Sequence, residues 1–238
     1  MIKLAGLKMM IFNKIRSYLF VSYALVSLAL LIIFMYLFRP YNPLLRKGWS
    51  RLAFWMLGIK LSIKGEKDPE AQLFILNHQS QFDIVAFEIA NSDDLCWVGK
   101  QELFKIPFYG HIMKAPKMLG IKREDKRGII ALLSDVAERL THNRPIVIFP
   151  EGTRSKRGEL LPFKQGAKII GDKFGLKVQP VPIKGSGDVL PSGSVTVTSG
   201  TIELIYLPSF SADSKNPWLE ETRSTMQSYL DTTVKPKA

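Results

Sequence analysis

The chain is predicted to fold as an α/β domain with a mainly parallel mixed sheet flanked by helices, and three observations carry that prediction. Two compact apolar runs, Leu73-Phe74-Ile75-Leu76 and Pro145-Ile146-Val147-Ile148-Phe149, read as strands buried on both faces. Between them Ile129, Ile130, Leu132, Leu133, Val136, Ala137 and Leu140 fall at helical spacing, so strand and helix alternate along the chain. Near the end, Ser194 to Leu207 holds two alternating runs about Ser199-Gly200, which predicts an antiparallel portion.

The chain opens differently. Ser17 to Phe38 is a run of 22 residues without a charge. As a helix it reaches roughly 33 Å, enough for a hydrocarbon core of about 30 Å, and so reads as a transmembrane helix. It is too long for the apolar region of a cleaved signal, and Arg39-Pro40-Tyr41-Asn42-Pro43 offers no small-residue cleavage site. Basic residues flank the run on both sides and leave its orientation open. It either spans, or enters one leaflet obliquely and pairs with the next helix. That next helix begins at Asn42-Pro43 and sets Leu45, Trp49, Leu52 and Met56 on one stripe, with Arg46, Lys47 and Arg51 largely elsewhere. Tryptophans with arginines suit an anionic phospholipid surface, where each cation contributes about 1 kcal/mol. A core helix of the soluble part is the competing reading. Residues 1–60 are therefore expected to form a two-helix membrane anchor, and residues 61–238 the α/β domain.

The remaining elements follow in order. Leu61 to Gly65 alternates as a strand, Lys67-Asp68-Pro69-Glu70 turns, and Leu73 to Leu76 is the first buried strand. Ile84 to Ala90 reads as a helix and Asp94 to Lys100 as a strand. Gln165 to Phe174 reads as a helix ended by Gly175, and Val178 to Ile183 as a strand whose prolines favour an edge or the strand's limits. Asn216-Pro217 starts a last helix with Trp218, Leu219, Met226 and Leu230 on its buried side.

Charge and composition exclude several classes of function. The formal net charge is +12, yet no acidic residue precedes Glu66, and ten basic residues lie before it. The rest of the chain holds 23 basic against 21 acidic residues, so the excess does not belong to the folded domain and no nucleic-acid partner is expected. One cysteine, Cys96, rules out an internal disulfide. The histidines, His78, His111 and His142, lack zinc-site spacing, so neither a metal nor another cofactor is expected. Lys100 to Arg127 carries eight cations interleaved with aromatic and aliphatic residues, a pattern for lipid or an acidic partner.

Two motifs carry the candidate chemistry. In Asn77-His78-Gln79-Ser80-Gln81-Phe82-Asp83 a histidine ends a strand and a carboxylate follows in the first helical turn. On one helix the two would stand roughly 140° apart. Across a strand–loop–helix corner they can face each other, with Asp83 accepting from Nδ1 and Nε2 left to remove a proton from a hydroxyl. Ser80-x-x-Asp83 equally fits a helix-capping pattern, with His78 a loop residue. The second motif, Phe149-Pro150-Glu151-Gly152-Thr153-Arg154-Ser155, ends the buried strand, where open α/β sheets keep their ligands. Gly152 permits close approach, Arg154 offers a fork of donors suited to phosphate, and Thr153 and Ser155 add hydroxyls. It lacks the Gly-Lys-Ser/Thr ending of a nucleotide P-loop. A strand–turn with a surface arginine is its bland reading.

Taken together, the two motifs resemble the glycerophospholipid acyltransferase family, above all the bacterial 1-acyl-glycerol-3-phosphate acyltransferases. The resemblance runs through Leu161-Pro162-Phe163-Lys164-Gln165-Gly166-Ala167 to Pro180-Val181-Pro182, most of residues 61 to 190. Gly120-Ile121-Lys122-Arg123 matches the family's intervening glycine–arginine motif, with Lys122 departing from its usual aspartate. The resemblance implies transfer of a fatty acyl group from acyl-CoA or acyl-acyl-carrier-protein to the 2-hydroxyl of lysophosphatidic acid, giving phosphatidic acid for phospholipid biosynthesis. In that reading His78 is the base and Asp83 its partner. Arg154 and Arg123 hold the phosphate, Glu151 and Gly152 shape the glycerol site, and Thr153 adds a hydroxyl donor. Lys100, or backbone donors near His78, serve the oxyanion or the donor. Transfer is expected to be direct, because Ser80 has no nucleophile elbow and Cys96 no histidine nearby in sequence. The same resemblance implies the cytoplasmic face of a bacterial inner membrane. Another lysolipid acceptor, such as a lysophospholipid or lyso-ornithine lipid, and a non-catalytic lipid-binding or acyl-carrier docking protein are the competing functions.

Overall fold

A computed structural model describes residues 2–122, 126–156 and 158–232. Two helices open it, α1 (Ile2–Leu37) and α2 (Asn42–Leu57), joined by a single 3-10 turn at Arg39–Tyr41. Then come β1 (Ile59–Lys64), β2 (Leu73–Leu76), α3 (Phe82–Ala90), β3 (Cys96–Lys100), α4 (His111–Lys114), β4 (Leu119–Ile121) and α5 (Lys126–Thr141). They are followed by β5 (Ile146–Ile148), α6 (Gly166–Phe174), β6 (Lys177–Val181), β7 (Ile183–Lys184), α7 (Ser186–Val189), β8 (Gly200–Ile205), β9 (Phe210–Ser211) and α8 (Trp218–Asp231).

Among the described residues the strands form a six-stranded sheet in the order β4-β3-β5-β2-β6-β9 and a three-stranded one in the order β1-β8-β7. The larger sheet is parallel except for β9, while β1 pairs β8 in parallel and β7 pairs it antiparallel. The mixed, mainly parallel sheet predicted from the sequence is thus observed. β2 and β5 sit at its centre because their side chains are apolar on both faces. Phe74, Leu76 and Val147 face one way, onto Phe54 and Leu57 of α2 and Phe82, Ala86 and Phe87 of α3. Leu73, Ile75, Ile146 and Ile148 face the other, onto Leu132 and Val136 of α5, Ala167 and Ile170 of α6, and Met226 and Leu230 of α8. The two-residue alternation of a strand divides one apolar run between two cores.

The expected β run at Ser194 to Ser199 is not a strand. That segment leaves a turn at Pro191–Gly193 and packs across α7, with Val197 buried and the Thr198 amide donating to the Val189 carbonyl at 2.9 Å.

The N-terminal helices require two corrections. No helix among the described residues is long and apolar enough to cross a membrane, against the transmembrane reading of Ser17 to Phe38. One side of α1 is occupied by protein: Leu31, Ile32 and Met35 are buried against Leu45, Trp49 and Ala115, Tyr23 stacks on Trp49, and the Trp49 indole donates to Ser27 Oγ at 2.9 Å. The cations of α2 were expected at a lipid surface, yet two of them turn inward. Arg46 is buried, with Nε 3.4 Å from Glu88 and Nη2 3.0 Å from Asp94, and Lys47 donates to the Asn91 carbonyl at 3.1 Å. Large apolar side chains remain on the outer side of both helices, including Leu25, Leu30, Phe34, Leu37 and, at 79% exposure, Trp55.

Candidate functional site

The carboxyl ends of β2 and β5 lie side by side, so each motif leaves its strand beside the other. The two loops are tied by main-chain groups. His78 N donates to Glu151 Oε1 at 2.8 Å, Leu161 N donates to Glu151 Oε2 at 2.9 Å, and Ser155 N donates to the His78 carbonyl at 2.7 Å. Asn77 adds a reciprocal pair with Ile183, giving 2.9 Å from Nδ2 to the carbonyl and 2.6 Å from the amide to Oδ1, which fixes the corner to β7.

Within this frame His78 and Asp83 meet. Nδ1 stands 2.9 Å from Asp83 Oδ2, and the same oxygen accepts from Gln79 N at 2.7 Å and Ser80 N at 2.8 Å. An ionised carboxylate only accepts, so Nδ1 carries the hydrogen and Nε2 presents its lone pair. Both sequence readings of Asp83 are therefore realised, since one oxygen holds the turn and orients the ring. Asp83 is wholly buried, whereas His78 keeps partial access to solvent. The imidazole plane is set from its other side by Phe149, stacked at 4.0 Å between centroids and 17°, and Phe149 in turn stacks on Trp97 at 5.4 Å.

Ser80 is no nucleophile here: its hydroxyl is buried and donates to the Leu190 carbonyl at 2.9 Å.

A cavity of about 330 Å³ opens on this corner, between the sheet and α1, α2 and α3. Its lining gathers His78, Lys100, Tyr109, Gly152, Thr153 and Arg154 together with the apolar Leu31, Val85, Met113 and Met118, and includes the buried Arg46–Glu88 pair beside Trp49 and Ser50. Gly152 turns the chain at φ 69, a conformation that favours glycine. Tyr109 is held above its ordinary pKa by burial, against the pull of Arg154. The cavity thus joins the histidine to the arginine and Lys100.

Glu151 does not line it. Its carboxylate is 1% exposed and engaged by backbone amides, and burial raises its pKa above the usual carboxylate range. The sequence placed it on substrate glycerol; the structure places it beneath the site as a clasp. Arg123 lies outside the described residues. Sequence reasoning missed Phe149 and Trp97, although Phe149 stands inside the second motif as its first residue. It also missed Glu88, which accepts from the Trp97 indole at 2.7 Å. Among the described residues no group of three or more His, Cys, Asp or Glu side chains is placed to hold a metal ion.

Comparison with known proteins gives three findings. A family model described as Acyltransferase matches residues 60–184. A 1-acyl-sn-glycerol-3-phosphate acyltransferase of Helicobacter pylori is 43% identical over 85% of this chain and 86% of its own length, and one of Pseudomonas aeruginosa is 29% identical over 76% and 72%. The crystal structure of the 1-acyl-sn-glycerophosphate (LPA) acyltransferase PlsC from Thermotoga maritima superposes with a TM-score of 0.77 at 23% identity, covering 94% of this chain and 98% of that one, a likeness of fold.

Proposed function

Since the chain belongs to the acyltransferase family, we propose that it makes phosphatidic acid by moving a fatty acyl group from a thioester to the 2-hydroxyl of 1-acyl-glycerol-3-phosphate. The observation that carries this reading is one cavity lined by an oriented histidine and by Arg154 of the glycine turn. His78 Nε2 takes the proton of the 2-hydroxyl as its oxygen attacks the thioester carbon. The new C–O bond forms, the C–S bond breaks, and the proton passes from His78 to the departing thiolate. Asp83 stabilises the imidazolium between the two transfers. A base so positioned contributes about 10²–10⁴-fold.

Arg154 takes the acceptor phosphate, joined in the family pattern by Arg123. Gly152 and Thr153 bound the glycerol, and Lys100 meets the oxyanion or the donor. The incoming acyl chain lies along the apolar side chains of the lining, Leu31, Val85, Met113 and Met118. The donor is an acyl thioester of coenzyme A or of acyl carrier protein, and no further cofactor is required. The exposed apolar side chains of α1 and α2 support a seat in one leaflet of the bacterial inner membrane, with the catalytic domain on its cytoplasmic face. The test is an assay of purified protein with lysophosphatidic acid and both thioesters. Transfer should occur and His78→Ala should abolish it; near-normal turnover by that variant would sink the reading.

A further inference from the structure

Three rings stand in series across three neighbouring strands, and the last is the imidazole of the catalytic corner. Trp97 lies on β3, Phe149 follows β5 and His78 follows β2, strands adjacent in that order in the larger sheet. Trp97 stacks on Phe149 at 5.4 Å between centroids and 25°, and Phe149 on His78 at 4.0 Å and 17°. The far end of the series is polar. The Trp97 indole donates to Glu88 Oε1 at 2.7 Å, and Arg46 Nε stands 3.4 Å from the same oxygen. Arg46 is anchored in turn, donating from Nη2 to Asp94 Oδ1 at 3.0 Å and to the Leu95 carbonyl at 3.3 Å.

Packing alone does not require this pair. Trp97 belongs to the apolar core that holds Phe74, Phe87 and Leu95, and burying a carboxyl beside it carries a desolvation cost that an apolar side chain would not. A hydrogen bond supplies what apolar contact lacks, which is direction. It fixes the rotation of the indole, and with it the surface on which Phe149 rests. The imidazole needs that surface. Its bond from Nδ1 to Asp83 holds one atom, and a ring held at one atom can still tilt about the bond. Contact with Phe149 removes the tilt, so the aim of Nε2 depends on where Phe149 is held. We propose that Glu88 and Trp97 are positioning residues for acyl transfer, acting on His78 through Phe149. The proposal rests on the reading of His78 as the base of a lysophosphatidic acid acyltransferase.

Glu88→Met keeps the side-chain length and removes the acceptor, whereas Glu88→Gln keeps an oxygen for the indole hydrogen. Both are assayed on the full chain with lysophosphatidic acid and acyl-CoA, beside Phe149→Leu and the double variant Glu88→Met/Phe149→Leu. Glu88→Met should lower kcat about tenfold or more, the scale on which a misplaced group loses rate. KM for both substrates should stay within about twofold of wild type, and Glu88→Gln should recover kcat to within about threefold. In the Phe149→Leu background Glu88→Met should cost less than about twofold further, because the contact that carries its effect is gone. Unchanged kcat in Glu88→Met, an equal loss in Glu88→Gln, a rise in KM for either substrate, or multiplied losses in the double variant would each overturn the assignment. Should urea titration show Glu88→Met to be unfolded, Trp97→Phe removes the same hydrogen bond while keeping a ring, and is held to the same limits on kcat, KM and coupling to Phe149. If wild-type protein does not acylate lysophosphatidic acid, the functional reading itself falls, and this assignment with it.

Discussion

Replacing Asp83 separates its two duties. Oδ2 accepts two backbone amides and Nδ1 of His78, while Oδ1 is buried without a hydrogen-bond partner among the described residues. Asp83→Asn keeps an acceptor oxygen at the first position and sets its amide nitrogen where no partner is lost. Turn and ring orientation survive, and only the charge disappears. The imidazolium formed during transfer then faces a neutral oxygen, and a charge-assisted hydrogen bond is roughly twice as strong as a neutral one. With a wholly buried partner at 2.9 Å, the loss is put at about 3–4 kcal/mol, or about 10²–10³ in kcat. KM for either substrate should hold. Asp83→Ala leaves both amides unsatisfied as well, at about 1–3 kcal/mol each, so its urea midpoint should fall where that of Asp83→Asn stays near wild type. Steady-state transfer assays and urea unfolding read the two quantities. The reasoning is refuted if Asp83→Asn keeps kcat within about threefold of wild type, or if both variants unfold together.

Three other outcomes follow from the same geometry. Arg154→Ala should raise KM for lysophosphatidic acid about 10–100-fold, the loss of one charged hydrogen bond, and leave a monoacylglycerol acceptor unaffected; an equal effect on both would move the phosphate elsewhere. Glu151→Gln turns an amide donor toward one of two backbone N–H groups and should destabilise the fold by about 1–3 kcal/mol in urea titrations, with kcat falling as the His78 backbone loosens; unchanged stability would deny the clasp. Burial holds the Glu88 carboxyl above its ordinary value of 4.5, so between that value and the native one the unfolded chain is ionised while the folded chain keeps its proton. Stability contributed by the proton is therefore full below the ordinary value and lost as pH rises, by about 1.4 kcal/mol per unit across that window. Glu88→Gln should flatten this slope in urea midpoints taken against pH, and an unaltered slope would refute the assignment.

The sheet was legible because β2 and β5 are apolar at every position, and only a strand covered on both faces tolerates that. The N-terminal helices were harder to read. Periodicity identified the stripe of α2 but not its environment, because an arginine that snorkels to lipid and one that pairs with Glu88 look alike until α3 is in place. The run of α1 posed the same ambiguity. Its length without a charge read as a span, while Ser27 and Tyr23 are polar points whose contacts with Trp49 turn one side of the helix onto protein.

At the site, spacing left Asp83 open as a helix cap or as the partner of His78, and the resemblance set Glu151 on the glycerol; the structure distinguishes the two carboxylates by how their oxygens are used. Glu151 gives each oxygen to a main-chain amide, so its chemistry is spent on holding His78 to the second loop. Asp83 places two amides on one oxygen and still accepts the imidazole there. A glutamate, with two methylenes before its carboxylate, reaches across to another strand's loop, whereas an aspartate, with one, folds back onto its own turn, where His78 waits. The shorter side chain is therefore the one that can both cap a helix and face a histidine five residues earlier. That coincidence of reach and register is why the capping pattern and the catalytic pairing share one residue.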